Sequence, residues 1–130
     1  MKTHKFDRRA VSVTVAVLVV LTGCSTSTAP GAKTVTRNEA ITRPVRVSGD
    51  DRTLTVVAES GGCDSLPRLH VSETPKSVVL TVRITTRTGP GVVCPADARI
   101  GPARATLHTV LGTRTVTDGT TGRRLSIRKK

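Results

Sequence analysis

The chain has 130 residues, enough for one domain and too few for a large multidomain enzyme or a multi-span membrane protein. Lys and Arg number 21 against 9 Asp and Glu, for a formal charge of +12. Phe6 is the single aromatic residue, which excludes any site built on an aromatic platform. In chain order, residues 1–9 carry Lys2, Lys5, Arg8 and Arg9 against one acid, Asp7. An apolar run follows over residues 10–21, broken only by Ser12 and Thr14. A spanning helix needs about 20 apolar residues, so this run is too short for one. A basic segment followed by an apolar run of this length reads as a secretory signal helix.

The run ends in Leu21-Thr22-Gly23-Cys24. This resembles the bacterial lipobox, with Leu three residues before the Cys, then a small residue, then Gly. The resemblance implies that signal peptidase II recognises Leu21, Thr22 and Gly23 and cuts before Cys24. The Cys24 thiol is then the nucleophile that takes a diacylglyceryl group as a thioether. Two acyl chains anchor stably where one binds only marginally, at about 0.8 kcal/mol per buried methylene. An ordinary secretory signal cut near Ala29 or Ala32, or an uncleaved anchor, are the competing readings. Lipidation is favoured because Cys24 closes the apolar run and polar Ser25-Thr26-Ser27-Thr28 follows it. Arg8-Arg9 hints at twin-arginine export, but Ala10, Val11 and Ser12 fit that motif poorly, so the general route is expected. The chain thus divides into a lipoprotein signal peptide (1–23), a flexible tether (24–43) rich in Ser, Thr, Pro and Gly at its start, and a body (44–130). An edge strand around residues 34–41 is the alternative for the second half of the tether.

The body is rich in Val, Ile and Thr, which are β-branched and favour strands. Residues 46–47 open the set. Residues 53–58 put Leu54, Val56 and Ala58 on one face, and residues 69–71 form a short strand. The clearest strand is 77–86, with Val78, Leu80, Val82 and Ile84 pointing one way. Residues 105–110, 114–117 and 125–127 complete six or seven short strands. Gly112, Asp118-Gly119 and Thr121-Gly122 mark turns, and Asp50-Asp51 beside Gly49 reads as a turn and not a metal site. The expected fold is all-β, a small antiparallel sandwich of immunoglobulin-like architecture, with a small open barrel as the alternative.

Cys63 and Cys94 are an even pair on the oxidising side of a membrane and lack the paired spacing of a zinc site, so a disulfide is expected. Closing a loop of about 32 residues stabilises by about 3.7 kcal/mol in the chain-entropy model. No Gly-x-Ser-x-Gly elbow, metal-ligand spacing or phosphate loop is present, so no catalytic residue, no metal and no cofactor beyond the Cys24 lipid is expected. His70 and His108 read as half-exposed strand residues. Arg123, Arg124, Arg128, Lys129 and Lys130 cluster at the C-terminus and could contact an anionic lipid or wall polymer, although a compositional excess of Arg that merely solvates the sandwich is the favoured reading. Nucleic acid is not an expected partner after export.

Gly61-Gly62-Cys63, Cys94-Pro95, Thr106-Leu107, Leu111-Gly112-x-Arg114-x-Val116-x-Asp118 and Thr121-Gly122 together resemble small lipoproteins of actinobacteria, the high-GC Gram-positive bacteria. That resemblance implies a lipid-anchored protein on the extracytoplasmic face of the cell membrane, with structural roles for these residues. The function expected is a non-enzymatic binding or interaction module, its partner an envelope protein or an anionic wall polymer. The alternative is a small envelope hydrolase or redox protein using Cys63 or His70.

Overall fold

Alternation decides which side chains meet. In the computed structural model, which describes residues 31–130, Val78, Leu80, Val82 and Ile84 all point inward and are buried. Leu54, Val56 and Ala58 face them from a second sheet. The strands are β1 (Lys33–Glu39), β2 (Val45–Val47), β3 (Thr53–Gly61), β4 (Arg68–Glu73), β5 (Ser77–Thr88), β6 (Ala98–Thr106), β7 (Thr115–Asp118) and β8 (Ile127–Lys129). No helix occurs among the described residues. The fold is therefore the expected all-β sandwich with one disulfide, built from eight strands where six or seven were read. The signal helix lies outside the described residues.

One sheet has the order β1-β5-β4, with β7 also on β5. The other runs β6-β3-β2-β8. The twelve residues of β5 organise the first sheet. Val78 pairs with both Glu73 of β4 and Val116 of β7, while Val82 pairs with both Leu69 of β4 and Glu39 of β1. A strand residue has two neighbours, so β7 and β1 share one edge of β5 end to end, with β4 on the other.

Three expectations need correction. Residues 33–39, read as tether, form β1, because the far half of β5 offers an edge that only this segment covers. Residues 105–110, read as a strand, are mostly loop. The strand there is β6, which ends at Thr106 and pairs with β3 over nine residues. Pro102 has no N–H to donate, and it sits where that costs least, on a strand at the sheet's edge. Finally, the sandwich is not wholly antiparallel: β2–β8 and β5–β7 run parallel.

The core contains no aromatic residue. Val45, Val47, Leu54 and Val56 meet Val78, Leu80, Val82, Ile84 and Val116 between the sheets, and Ile41, Leu107 and Leu111 close the gaps from connecting segments. The two ends of the sandwich differ. One carries the disulfide-bearing connections β3–β4 and β5–β6, and β1 enters there, since Lys33 pairs with Thr88. The other carries the β2–β3 turn, the β4–β5 turn and the β6–β7 loop.

Candidate functional site

Leu21, Thr22, Gly23 and Cys24 lie outside the described residues. Cys63 and Cys94 are joined, with Cα atoms 5.0 Å apart and a sequence separation of 31. The bond staples two connections at one end of the sandwich and does not cross the core. Gly62 is required by the close approach it makes: a Cβ there would strike the Pro95 carbonyl. Beside it, Asp64 accepts both arms of the Arg37 guanidinium at 2.9 and 2.8 Å, the Thr86 hydroxyl, and the Gly61 amide at 2.7 Å. The Arg37 guanidinium above all, then Thr86 and Gly61, hold the Asp64 carboxyl well below the ordinary carboxylate range. This network fixes β1 to the disulfide end.

The two histidines part company. His70 is an exposed residue of β4, as expected, and the groove beside it, between Pro67, Arg68, Pro102 and Arg104, is lined by no carboxylate. His108, read as a strand residue, lies instead in the β6–β7 loop with its side chain 95% exposed. Its Nδ1 is 3.0 Å from Glu73 Oε1, which also accepts the His108 amide at 2.7 Å. The second oxygen of Glu73 takes Arg114 at 2.9 Å. Arg114 is itself half-buried and donates to the Thr109 and Val110 carbonyls, both at 2.8 Å. The His108 amide first, then Arg114 and the His108 ring, lower the Glu73 carboxyl from 4.5 to about 2. A carboxylate so thoroughly engaged holds a loop and is a poor proton acceptor. This cluster escaped the sequence reading, which placed Arg114 in a structural motif without a partner.

The C-terminal basic run is not one patch. Arg123 and Arg124 line a small cleft with Arg43 and Pro44. Lys129 turns to Asp51, 2.9 Å away. Arg128 and Lys130 face outward on the second sheet, where they join residues from far away in sequence. Arg104 of β6 is opposite Thr55 of β3, Thr55 is opposite Arg46 of β2, and Arg46 is opposite Arg128 of β8. One straight row across four strands thus carries three arginines. An open groove of about 350 Å³ runs over it, with Ser48 and Lys130 on its margin. The signal that could have found this row is strand parity: Arg46 lies between buried Val45 and Val47, and Arg104 follows buried Ala103. Neighbours in the row still depend on pairing.

Among the described residues, no group of three or more His, Cys, Asp or Glu side chains could hold a metal ion. No protein family matches the chain, and neither a curated protein nor a solved structure shows significant similarity to it.

Proposed function

We propose that the chain is an extracytoplasmic lipoprotein, held to the cell membrane through a diacylglyceryl thioether on Cys24, whose sandwich is a non-enzymatic interaction module. The observation that carries this reading is Leu21-Thr22-Gly23-Cys24 at the end of a basic-then-apolar leader. The Cys63–Cys94 bond supports it, because disulfides persist on the oxidising side of a membrane. The surroundings of the residues considered for the enzymatic alternative support the non-enzymatic reading further. Cys63 is bonded to Cys94, Glu73 is committed to Arg114 and the His108 amide, and His70 stands on a strand away from any lining acid.

Mass spectrometry of the product from wild type and Cys24→Ala tests the anchor. The wild-type polypeptide is expected to begin at Cys24 and to carry the mass of a diacylglyceryl group. The Cys24→Ala product is expected to lack both the cleavage and the lipid, and to leave the membrane fraction. A wild-type product beginning near Ala29 or Ala32 without lipid overturns the reading.

A further inference from the structure

We propose that the outer face of the β6-β3-β2-β8 sheet binds a linear phosphodiester polymer without bases, laid across the strands along Arg104, Thr55, Arg46 and Arg128. This rests on the reading of the sandwich as an envelope interaction module, and it names the class of ligand.

The charge is the first reason. Neighbouring strands lie about 4.8 Å apart, so the row spans three steps, roughly 14 Å. Like charges directly opposite one another on adjacent strands repel, and Arg46 stands opposite Arg128. Among the described residues some cations elsewhere are paired, Arg37 with Asp64, Arg99 with Asp97, Arg114 with Glu73 and Lys129 with Asp51, and others, Arg43, Arg68, Arg83, Arg87 and Arg123, are not. What sets this face apart is three arginines in one row, since Arg83 has Arg68 on one side but Asn38 on the other. Arg52 is spent on the Leu107 and His108 carbonyls. Among the described residues, the side chains of Arg46, Arg104, Arg128 and Lys130 make no ion pair and no hydrogen bond. The acids nearest the groove are already engaged. Asp50 accepts from Ser48 Oγ and the Arg52 and Thr53 amides, and Asp51 accepts from the Gly112 amide and is ion-paired with Lys129. Glu59 shares the outer face of β3 but lies four residues from Thr55, about 13 Å along the strand. Unanswered arginines in a row call for an external anion, and the planar guanidinium fork matches a phosphate group in two places.

Shape and position select the kind of anion. A groove receives a chain, whereas a bilayer presents a plane. Residue 31 joins the fold at the disulfide end, where Gly31 lies against Pro90. The row crosses β3 at Thr55, six residues from Gly61 at that end, or about 20 Å. A domain tethered from its disulfide end presents the row away from the anchoring membrane. Stacking of nucleobases relies on aromatic side chains, and residues 31–130 contain none. A base-free polyol phosphate chain meets all of these conditions.

The test uses the full chain with Cys24→Ala, so that no acyl chain contributes, titrated with poly(glycerol phosphate) and with phosphatidylglycerol/phosphatidylcholine vesicles. Polymer binding is expected, weakening with salt by about 0.7 in log–log slope for each phosphate contact. Adding Arg46→Gln and Arg128→Gln together is expected to weaken it roughly tenfold and to flatten the salt slope. These side chains are exposed and unbonded, so an unchanged thermal melt shows that the fold is kept. Adding Arg123→Gln and Arg124→Gln instead removes the same charge elsewhere and is expected to keep the affinity. The proposal is overturned by equal losses in the two double variants, by absence of polymer binding at low salt, or by tighter binding to the vesicles. Lipid missing from Cys24 in the mass measurement would sink the anchor and leave this binding untouched, so the two readings fail separately.

Discussion

Glu73 is where a single residue does most to shape the molecule's response to acid. It accepts from the His108 amide, from Arg114 and from the His108 ring, and these bonds close the β6–β7 loop over the core. Its carboxyl is lowered from 4.5 to about 2, chiefly by the His108 amide. A depressed carboxylate stabilises the fold fully above its unfolded value and loses that contribution as the pH falls through the folded one. Urea midpoints are therefore expected to decline from 4.5 towards 2, with Asp64 adding a further loss at lower pH. Glu73→Gln is expected to be the less stable protein near neutrality, and the gap from wild type should close as the pH approaches 2. A gap that stays constant with pH would show that Glu73 acts through packing and not through charge. Asp118 works in a different way, as a buried knot. It accepts the Ile41 and Thr120 amides and the Thr121 hydroxyl, tying the β1–β2 connection to the turn after β7. Its place in a turn was legible from Asp118-Gly119, but its burial was not, because the donors that make burial tolerable come from 77 residues away as well as from next door.

At the scale of elements, legibility follows burial. β5 declared itself because one face is wholly buried and every second residue had to be apolar. β6 was missed for the opposite reason: Ala103 is its one buried side chain, and Gly101-Pro102 reads as a break. β1 shows no burial pattern at all, six of its seven residues being exposed, so its composition is that of a tether. What makes it a strand is its ladder to β5 and the Arg37 fork on Asp64. That implies a measurable hierarchy. Discounted for the exposure of Arg37, the fork contributes about 1 kcal/mol. Arg37→Ala is expected to speed hydrogen exchange of the β1 amides roughly fivefold and to leave β3 unchanged, as local opening of one edge requires. Uniform acceleration across both sheets would mean instead that β1 opens only with the whole fold. The parallel pairs β2–β8 and β5–β7 had no local signature, since nothing in a three- or four-residue strand states its partner. The arginine row was hidden for the same reason. Arg46, Arg104 and Arg128 are far apart in sequence, and only register makes them neighbours. The charges on β8 also blunt a sheet edge that would otherwise invite pairing with another chain.

For the molecule as a whole, the disulfide compensates for what the core lacks. Aliphatic side chains alone fill the space between the sheets, several of them small, and domains of this size have net stabilities of only about 5–15 kcal/mol. The Cys63–Cys94 bond closes a 31-residue separation and restricts the unfolded chain by about 3.7 kcal/mol on the entropy model. At roughly 4–8 °C per kcal/mol for a domain near 100 residues, its loss corresponds to a fall in melting temperature of about 15–30 °C. Cys63→Ser with Cys94→Ser is expected to melt that much lower in calorimetry, and wild type to match it once reduced. The location of the bond sharpens the expectation. It lies at the end where β1 enters, whereas the arginine row is carried by strands near the opposite end, held by Leu54, Val45, Val47 and Val56 beneath it. Below its own melting temperature the serine double variant should therefore still bind poly(glycerol phosphate) with wild-type affinity. Loss of binding while the variant remains folded would mean that the staple sets the geometry of the far face as well as the stability of the near one. That would make redox state, and not only charge, a determinant of what the outer sheet can hold.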